Sequence, residues 1–574
     1  MKPPERVLTW GLILLLLILI ATTILLASVP PIDRDALTHH LFVPKLWLKH
    51  GGIYEIPEIP FSYYPMNLDL LYTIPLYFGN DIVPKYIHYF FALATGLLLY
   101  RHLAARLNRQ YGLLGALFFL SIPIVVKLSI TVYVDLGLVF FTTAALLLLL
   151  RWAAQNFSPR FLVLAGMCCG LAAGTKYNGL IGVVVLTLFV PMLYQQSVPK
   201  ERQSNGKALL WAGIFAIATL TTSSPWLIRN YLWTGNPIYP LHNSLFQKLN
   251  PTMTDLQAVS PLGNSDTLQE NTSPGGNAFV ARKILYNESW WQALLLPVRF
   301  FYEGQDDNPQ FFDGKLSPFL LLLPLFALFF KPPTEQQRRE QRYLFLFALL
   351  YFFLTFFQQV MRIRYIVPIV PPLVILSMYG LHGIVHCQPT RLSSINLRKT
   401  TVFSLAAGII GSMLWYNLHY ITRQFALVQP LPYLRGKISR DDYITAFRPE
   451  YPVIQYINST VPSDAKVLCL FLGNRGYYMD FQPVFEQPHS SGLFAQFFAS
   501  PDRSLTIMAT LGDKNITHVL MREDLTASWL RQLNDSDRLR VAPLFANAPQ
   551  PLLRQAGYSF FEIKQPNNSL LDQF

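Results

Sequence analysis

The chain has 574 residues, 52% of them hydrophobic and 14% charged, with a mean hydropathy of +0.30 and a formal net charge of +13. Soluble chains carry about a quarter charged residues, so an ordinary soluble fold is excluded. The cations lie in short loops alternating with apolar runs, which argues against nucleic-acid binding and for a helical membrane protein oriented by its basic loops.

The apolar runs predict eleven spans, at roughly 8–28, 84–102, 111–128, 134–151, 160–177, 179–195, 207–224, 316–330, 342–358, 365–385 and 401–420. Most have the length needed to cross about 30 Å of hydrocarbon as a helix. The first run is longer than the apolar part of a secretory leader and lacks a small-residue cleavage site, so it reads as an uncleaved anchor. Loops holding Arg101, Arg106 and Arg109, then Arg151 and Arg160, then Lys200, Arg202 and Lys207 define the cytoplasmic side. All long segments then face the other side.

The first outer segment, 29–83, opens with Asp33 and Asp35, followed by His39 and His40. In a helix Asp35 and His39 share a face, an arrangement suited to a general base or to holding a divalent cation. The plainer alternative for either aspartate is helix capping. Leu41–Leu48 and Leu68–Tyr72 are amphipathic and predict helices lying in the membrane interface, with Trp47 and Tyr72 at headgroup level. Asp69 is a weaker third carboxylate of that segment, a candidate for substrate or metal contact beside His39 and His40.

Asp135 opens the fourth span, again as cap or functional group. Lys176, in Gly174-Thr175-Lys176-Tyr177-Asn178, is a cation between two spans on the outer side, where inside-positive sorting disfavours it. Arg229, Arg362 and Arg364 are similarly placed. An anionic phosphate at headgroup level accounts for such cations; contact with bulk lipid is the alternative. The outer segment 225–315 has aromatic flanks and an Asn-, Pro-, Gly- and Ser-rich stretch at 250–278, which reads as mobile and contains the triplet Asn271-Thr272-Ser273. Cys168 and Cys169 fall inside a span, Cys387 in a cytoplasmic loop and Cys469 alone in the tail, so no external pair and no zinc spacing is present.

Residues 421–574 read as a small α/β domain outside the membrane, set against a transmembrane domain of residues 1–420. Glu450–Ile457 predicts a helix, Lys466–Leu472 a buried strand, Gly473–Gly476 a turn and Asn515–Met521 a second strand.

Carboxylates and cations thus gather on one side of the membrane. A carboxylate can take a proton from an acceptor hydroxyl while guanidinium or ammonium groups stabilise a leaving phosphate, which a lipid-phosphate-linked sugar would use. The expectation is that Asp35, Asp135 and Arg364 converge at the outer lipid–water boundary.

The motifs in order, Asp35-Ala36-Leu37-Thr38-His39, Tyr133-Val134-Asp135, Gly174-Thr175-Lys176-Tyr177, Pro225 to Pro240 and Arg364-Tyr365-Ile366-Val367-Pro368, resemble those of the GT-C superfamily of polytopic glycosyltransferases. The likeness is to the branch of protein O-mannosyltransferases and aminoarabinose transferases, over about residues 8–385. It implies a polyprenyl- or dolichyl-phosphate sugar donor, inverting transfer and Asp35 as base. The residues themselves add a lipid, glycan or protein acceptor, Asp135 as a second catalytic residue that orients the acceptor or the donor sugar, and Arg364, Lys176, Arg229 and Arg362 around the donor phosphate. Asp33, Asp69, His39 and Tyr365 would meet substrate. Ala36 and His39 depart from the family's usual Glu and Tyr, which puts a family-style metal in doubt, although His39, His40 or Asp69 could compensate. The resemblance places the protein in a bacterial inner membrane with its site and tail outside. The alternatives are a polymerase or ligase using a lipid-diphosphate donor, a non-catalytic binding or assembly protein of the same fold, and a lipid or sugar transporter.

Overall fold

A computed structural model describes residues 3–249, 278–330, 332, 334–356, 361–386, 395–486, 492–500, 506–546 and 550–563. The readings made for 250–277 and Cys387 lie outside the described residues. The chain divides into two compact units: Met1–Val29, Tyr64–Leu232 and Gln269–Leu434 form the first, and Pro30–Tyr63, Trp233–Leu268 and Arg435–Phe574 the second.

The first unit is helical. Its leading elements are α1 (Pro3–Ala27), then, after α2 of the second unit, α3 (Asn67–Tyr77), α4 (Val83–Arg106), α5 (Arg109–Ser121), α6 (Pro123–Ser129), α7 (Asp135–Ala154), α8 (Pro159–Ala173), α9 (Gly179–Ser197) and α10 (Asn205–Thr234). Later come α11 (Phe319–Phe329), α12 (Glu335–Phe356), α13 (Val370–His386, entered through short turns from Ile363) and α14 (Ile395–Val428).

All eleven apolar segments fall on helix. Among the described residues, six helices are long and apolar enough to cross a membrane: Glu5–Ala27, Asp135–Ala154, Gly179–Ser197, Asn205–Thr234, Ile363–His386 and Thr401–Val428. The protein is therefore an integral, multi-pass membrane protein. The run expected at 111–128 is a pair, α5 and α6, bent by 66°. The break is at Ile122, whose extended ψ of 132° precedes Pro123, as the crowding of a proline ring on the preceding residue requires. The segments expected at 160–177 and 316–330 are short helices, Pro159–Ala173 and Phe319–Phe329. Leu14, Leu17 and Ile18 of α1 and Leu209, Ile217, Leu220 and Leu232 of α10 are exposed, as lipid-facing positions are.

Packing of α8 on α10 shows how close these helices approach. A Cβ on Gly170 would stand 2.2 Å from the Thr219 carbonyl oxygen. In return the Thr219 hydroxyl donates to the Gly166 carbonyl at 3.1 Å and the Thr222 hydroxyl to that of Met167 at 3.2 Å. Small residues plus interhelical hydroxyl bonds are how apolar helices associate without a hydrophobic driving force.

In the second unit the outer-loop residues 30–63 join the C-terminal region. The unit contains α2 (Phe42–His50), α15 (Tyr451–Thr460), β1 (Lys466–Leu470), β2 (Gln482–Glu486), α16 (Leu493–Ala499), α17 (Ile507–Asp513), β3 (Ile516–Arg522), α18 (Glu523–Gln532), α19 (Asp535–Ala546), β4 (Leu553–Gln555) and β5 (Tyr558–Glu562). Both expected strands and the α15 helix are present. Strand order is β2-β1-β3-β5-β4, with β1 parallel to β2 and β3, and β5 antiparallel to β3 and β4. After Lys466, β1 is apolar and buried because both its faces are covered. Leu468 and Leu470 pack with Phe494, Ile507 and Trp529, whereas Val467 and Cys469 pack with Ile454, Ile457 and Phe560. The β4–β5 turn is Ala556-Gly557, with φ of 52° and 79°, the double positive that a two-residue hairpin demands.

The two amphipathic segments are both helical. α3 exposes Leu71, Ile74 and Tyr77. α2 differs from the interfacial expectation: Phe42, Val43 and Trp47 are buried. Lys45 Nζ donates to the carbonyls of Tyr477 and Met479, both at 2.9 Å, and to Asp480 Oδ1 at 2.8 Å. The Tyr477 amide donates to Leu37 O at 3.1 Å, and the Tyr478 hydroxyl to Pro31 O at 2.8 Å.

Candidate functional site

The first unit gathers a polar group at the start of α7, the turn between α8 and α9, the end of α10 and the residues leading into α13. Asp135 is the first residue of α7, where a carboxylate complements the positive end of the helix. It is 1% exposed, and its Oδ1 accepts from Lys176 Nζ at 2.7 Å. Arg364 also attracts it electrostatically. Its Oδ2 is buried with no hydrogen-bond partner among the described residues.

Both cations lie near the Tyr365 ring: Lys176 Nζ is 5.3 Å and the Arg364 guanidinium 5.4 Å from its centre. Arg364 is also 5.3 Å from the Tyr133 ring. These are cation–π distances, and they hold both charges beside aromatic faces.

Arg229 continues the group. Its guanidinium lies 4.6 Å from the Trp226 ring and donates to Tyr64 O at 3.3 Å and to Asn230 Oδ1 at 2.8 Å. Asn230 donates to the Tyr177 hydroxyl at 3.0 Å, and the Tyr64 and Tyr177 rings are 5.1 Å apart. Burial pushes the Tyr64 hydroxyl up to about 12, with Tyr365 adding to the effect, so Tyr64 is a neutral donor at ordinary pH.

Four residues that carry this geometry, His88, Tyr72, Asn67 and Tyr351, were not among the expected site residues. His88 of α4 is fully buried. Its Nε2 accepts the Leu136 amide at 2.9 Å, and its Nδ1 therefore donates to Thr131 O at 3.1 Å. One imidazole thus satisfies a free amide at the start of α7 and fixes the loop before it. The Tyr72 hydroxyl donates to Tyr133 O at 2.5 Å. Asn67, opening α3, pins the Lys176 turn: its amide donates to Gly174 O at 3.0 Å, its Nδ2 to Leu171 O at 3.2 Å, and its Oδ1 accepts from Trp226 Nε1 at 2.7 Å. Gly174 is needed there, since a Cβ would stand 2.4 Å from Asn67 Nδ2. Tyr351 of α12 closes the turn by donating to Asn178 O at 2.9 Å.

Arg362 lies 3.6 Å from Asp313 in an ion pair of the first unit, and so reads as anchoring the 305–314 loop. Asp69 is 1% exposed and acts electrostatically on Tyr72.

Asp33, Asp35, His39 and His40 belong to the second unit. The turn after Asp35 is a π-helix, Ala36–His40, closed by Leu41 N–H to Ala36 O. The α-helical face assumed for Asp35 and His39 is thereby altered, because a π turn contains one residue more. Asp35 is half-buried, and its side chain makes no capping bond to the π turn. His39 bonds Thr38 Oγ1 through Nδ1 at 2.9 Å, lies 4.0 Å from the His40 ring and stacks on Phe61 at 4.6 Å. Among the described residues no three His, Cys, Asp or Glu are placed to hold a metal ion, and Asp69 lies in the other unit from the two histidines.

Residues 58–246, which include Asn67, His88, Asp135, Lys176 and Arg229, match the family model of dolichyl-phosphate-mannose-protein mannosyltransferase. Among solved structures, ArnT from Cupriavidus metallidurans bound to undecaprenyl phosphate is similar with a TM-score of 0.53 and 12% identity, over 96% of this chain and 98% of that one. The chain has a GT-C fold. The apo form of the same ArnT gives a TM-score of 0.52 at 12% identity, over 96% of this chain and 98% of that one. The apo oligosaccharyltransferase of Archaeoglobus fulgidus gives 0.52 at 13% identity, over 91% of this chain and 71% of that one. No curated protein sequence matches. The GT-C fold read from motifs is thus present over nearly the whole chain.

Proposed function

We propose that this GT-C chain is a membrane glycosyltransferase that moves a sugar from a polyprenyl-phosphate-linked donor to an acceptor hydroxyl on the extracytoplasmic side. The observation that carries it is the pairing of Lys176 and Arg364 around Tyr365 and Asp135, within a fold shared with a protein solved with undecaprenyl phosphate. Two cations held beside one aromatic ring suit the phosphate that leaves with the lipid, and arrangement in advance is what makes such charges effective in the transition state.

In this reading Asp35 takes the acceptor proton as the oxygen attacks the anomeric carbon, and the bond from that carbon to the donor phosphate oxygen breaks. Arg364 and Lys176 stabilise the phosphate that departs, and Arg229 extends the cationic surface. Asp135 acts through Lys176. It is buried, and this reading makes it a positioning group; from the sequence it was expected to orient the acceptor or the donor sugar.

The test is transfer from a synthetic polyprenyl-phosphate sugar by the purified full-length chain in detergent. Turnover that disappears in the Asp35→Asn and Arg364→Ala variants supports the reading. Retained turnover in Asp35→Asn removes Asp35 from the mechanism, and no turnover in the wild type with any lipid-phosphate sugar removes the activity. A lipid-diphosphate donor is the second reading, favoured by the presence of two cations beside one ring. Turnover of the diphosphate donor alone selects it.

A further inference from the structure

The C-terminal sheet has a topological switch point. From β1 the chain passes to β2 on one side, then returns to place β3 on the other. Segments leaving the carboxyl ends of β1 and β3 therefore diverge, and in open α/β sheets the crevice so formed is where ligands sit. A cleft of about 960 Å³ lies there, within the size range of small-ligand sites. Arg475, after β1, and Arg522 and Glu523, at the end of β3, line it together with Glu450, Arg554 and Tyr558.

The charged groups form pairs: Arg475 with Glu450 at 2.7 Å, Arg554 with Glu523 at 2.6 Å, and Arg522 with Asp524 at 2.8 Å. Glu450 is buried. The Arg554 and Ser559 side chains hold Glu523 below the ordinary carboxylate range. Met521, Leu530 and Phe545 supply an apolar wall. Each pair offers donors and acceptors side by side in a planar fork, which matches adjacent hydroxyls that both donate and accept. The apolar wall suits the C–H face of a sugar ring. Arg448 joins the three paired arginines in the lining, so four guanidinium groups face three carboxylates and the cleft is cationic by one charge.

We propose that this cleft binds a saccharide carrying an acidic group. As to ligand class, the proposal rests on the sugar-transfer reading, which makes a glycan acceptor the natural occupant; its geometry is independent of the transfer site.

The experiment is calorimetry on the full-length chain in detergent with a uronic-acid trimer and with a neutral hexose trimer. The acidic trimer should bind at least about tenfold more tightly, and Arg522→Gln and Arg554→Gln should each weaken it by about tenfold or more, as loss of a charge-assisted contact does. Both arginines are partly exposed, so these variants should fold; an unchanged melting temperature checks this. The Arg364→Ala variant should bind as the wild type does. No binding of either trimer, equal binding of both, or binding indifferent to Arg522 and Arg554 overturns the proposal. Transfer without cleft binding sinks the cleft alone, and cleft binding without transfer sinks the transfer reading alone.

Discussion

Two of the buried carboxylates that pair with cations in the first unit, Glu340 and Asp135, differ in how completely they are satisfied. Glu340 of α12 is 3% exposed. Arg106 Nε donates to its Oε2 at 2.7 Å and Arg106 Nη2 to its Oε1, which also receives Gln336 Nε2 at 3.2 Å. Both oxygens are occupied, by a planar fork and an amide. Asp135 instead takes one point charge, Lys176, and leaves Oδ2 with no hydrogen-bond partner among the described residues. A saturated bidentate pair joins α4 to α12 and has nothing left to offer. An unsaturated pair beside a second cation and an aromatic ring costs stability unless it has a task, since an unmet buried acceptor is worth about 1–3 kcal/mol.

Breaking each group should separate these roles. The largest effect is expected at the proposed chemistry: Asp35→Asn and Arg364→Ala should each lower transfer by about a hundredfold or more, with membrane insertion unchanged in a protease-protection assay. Lys176→Ala should be almost as severe. If either cation variant keeps full turnover, the distinction drawn between the two pairs fails. Glu340→Gln should do the reverse, destabilising the unit by about 3 kcal/mol as loss of one partner of a buried pair does, while turnover per folded molecule stays near wild type; thermal unfolding alongside kinetics reads both. Asn67→Ala should cut turnover by about tenfold with little change in melting temperature, because it frees the Lys176 turn without touching a charge; a displacement of about an ångström in a catalytic group is enough for that.

The last prediction leaves turnover aside and concerns the stability of the second unit. Burial pushes the Glu486 carboxyl up to about 7, although the Leu493 and Phe494 amides donate to it. The ordinary value is 4.5, so between these two pH values the unfolded chain has lost a proton that the folded one keeps. Stability of the unit should fall as pH rises from 4.5 to 7, by up to about 3 kcal/mol, and level off above. Glu486→Gln should flatten that slope, as measured by susceptibility of the tail to limited proteolysis. An unchanged slope in the variant would show that another group sets it.

Much of this was readable in the chain. Each apolar run is helix, β1 and β3 lie where alternation and turn residues put them, and Asp135, Lys176 and Arg364 stood out as charges at the outer ends of spans. His88, Tyr72 and Asn67 were missed because their partners are far off in sequence: Leu136, Tyr133 and Trp226 lie 48, 61 and 159 positions away. One signal was present. Lys85, His88 and Thr95 recur at helical spacing along one side of α4 and all three are buried, and polar residues on the inward face of an apolar helix mark a function or a support for one. The union of residues 30–63 with the C-terminal region was not legible, since Lys45 meets Tyr477 across 432 positions and no periodicity reports that. Nor did the amphipathic pattern of α2 say whether its apolar side would meet lipid or protein.

The three bonds of Lys45 make the tail indispensable to the entrance of the chain. A protein cut after residue 434 would keep every apolar helix yet lose the carbonyls and the carboxylate that receive this ammonium. The stretch bearing Asp33 and Asp35 would then lose these anchors, so a shortened chain can insert correctly and still be inert.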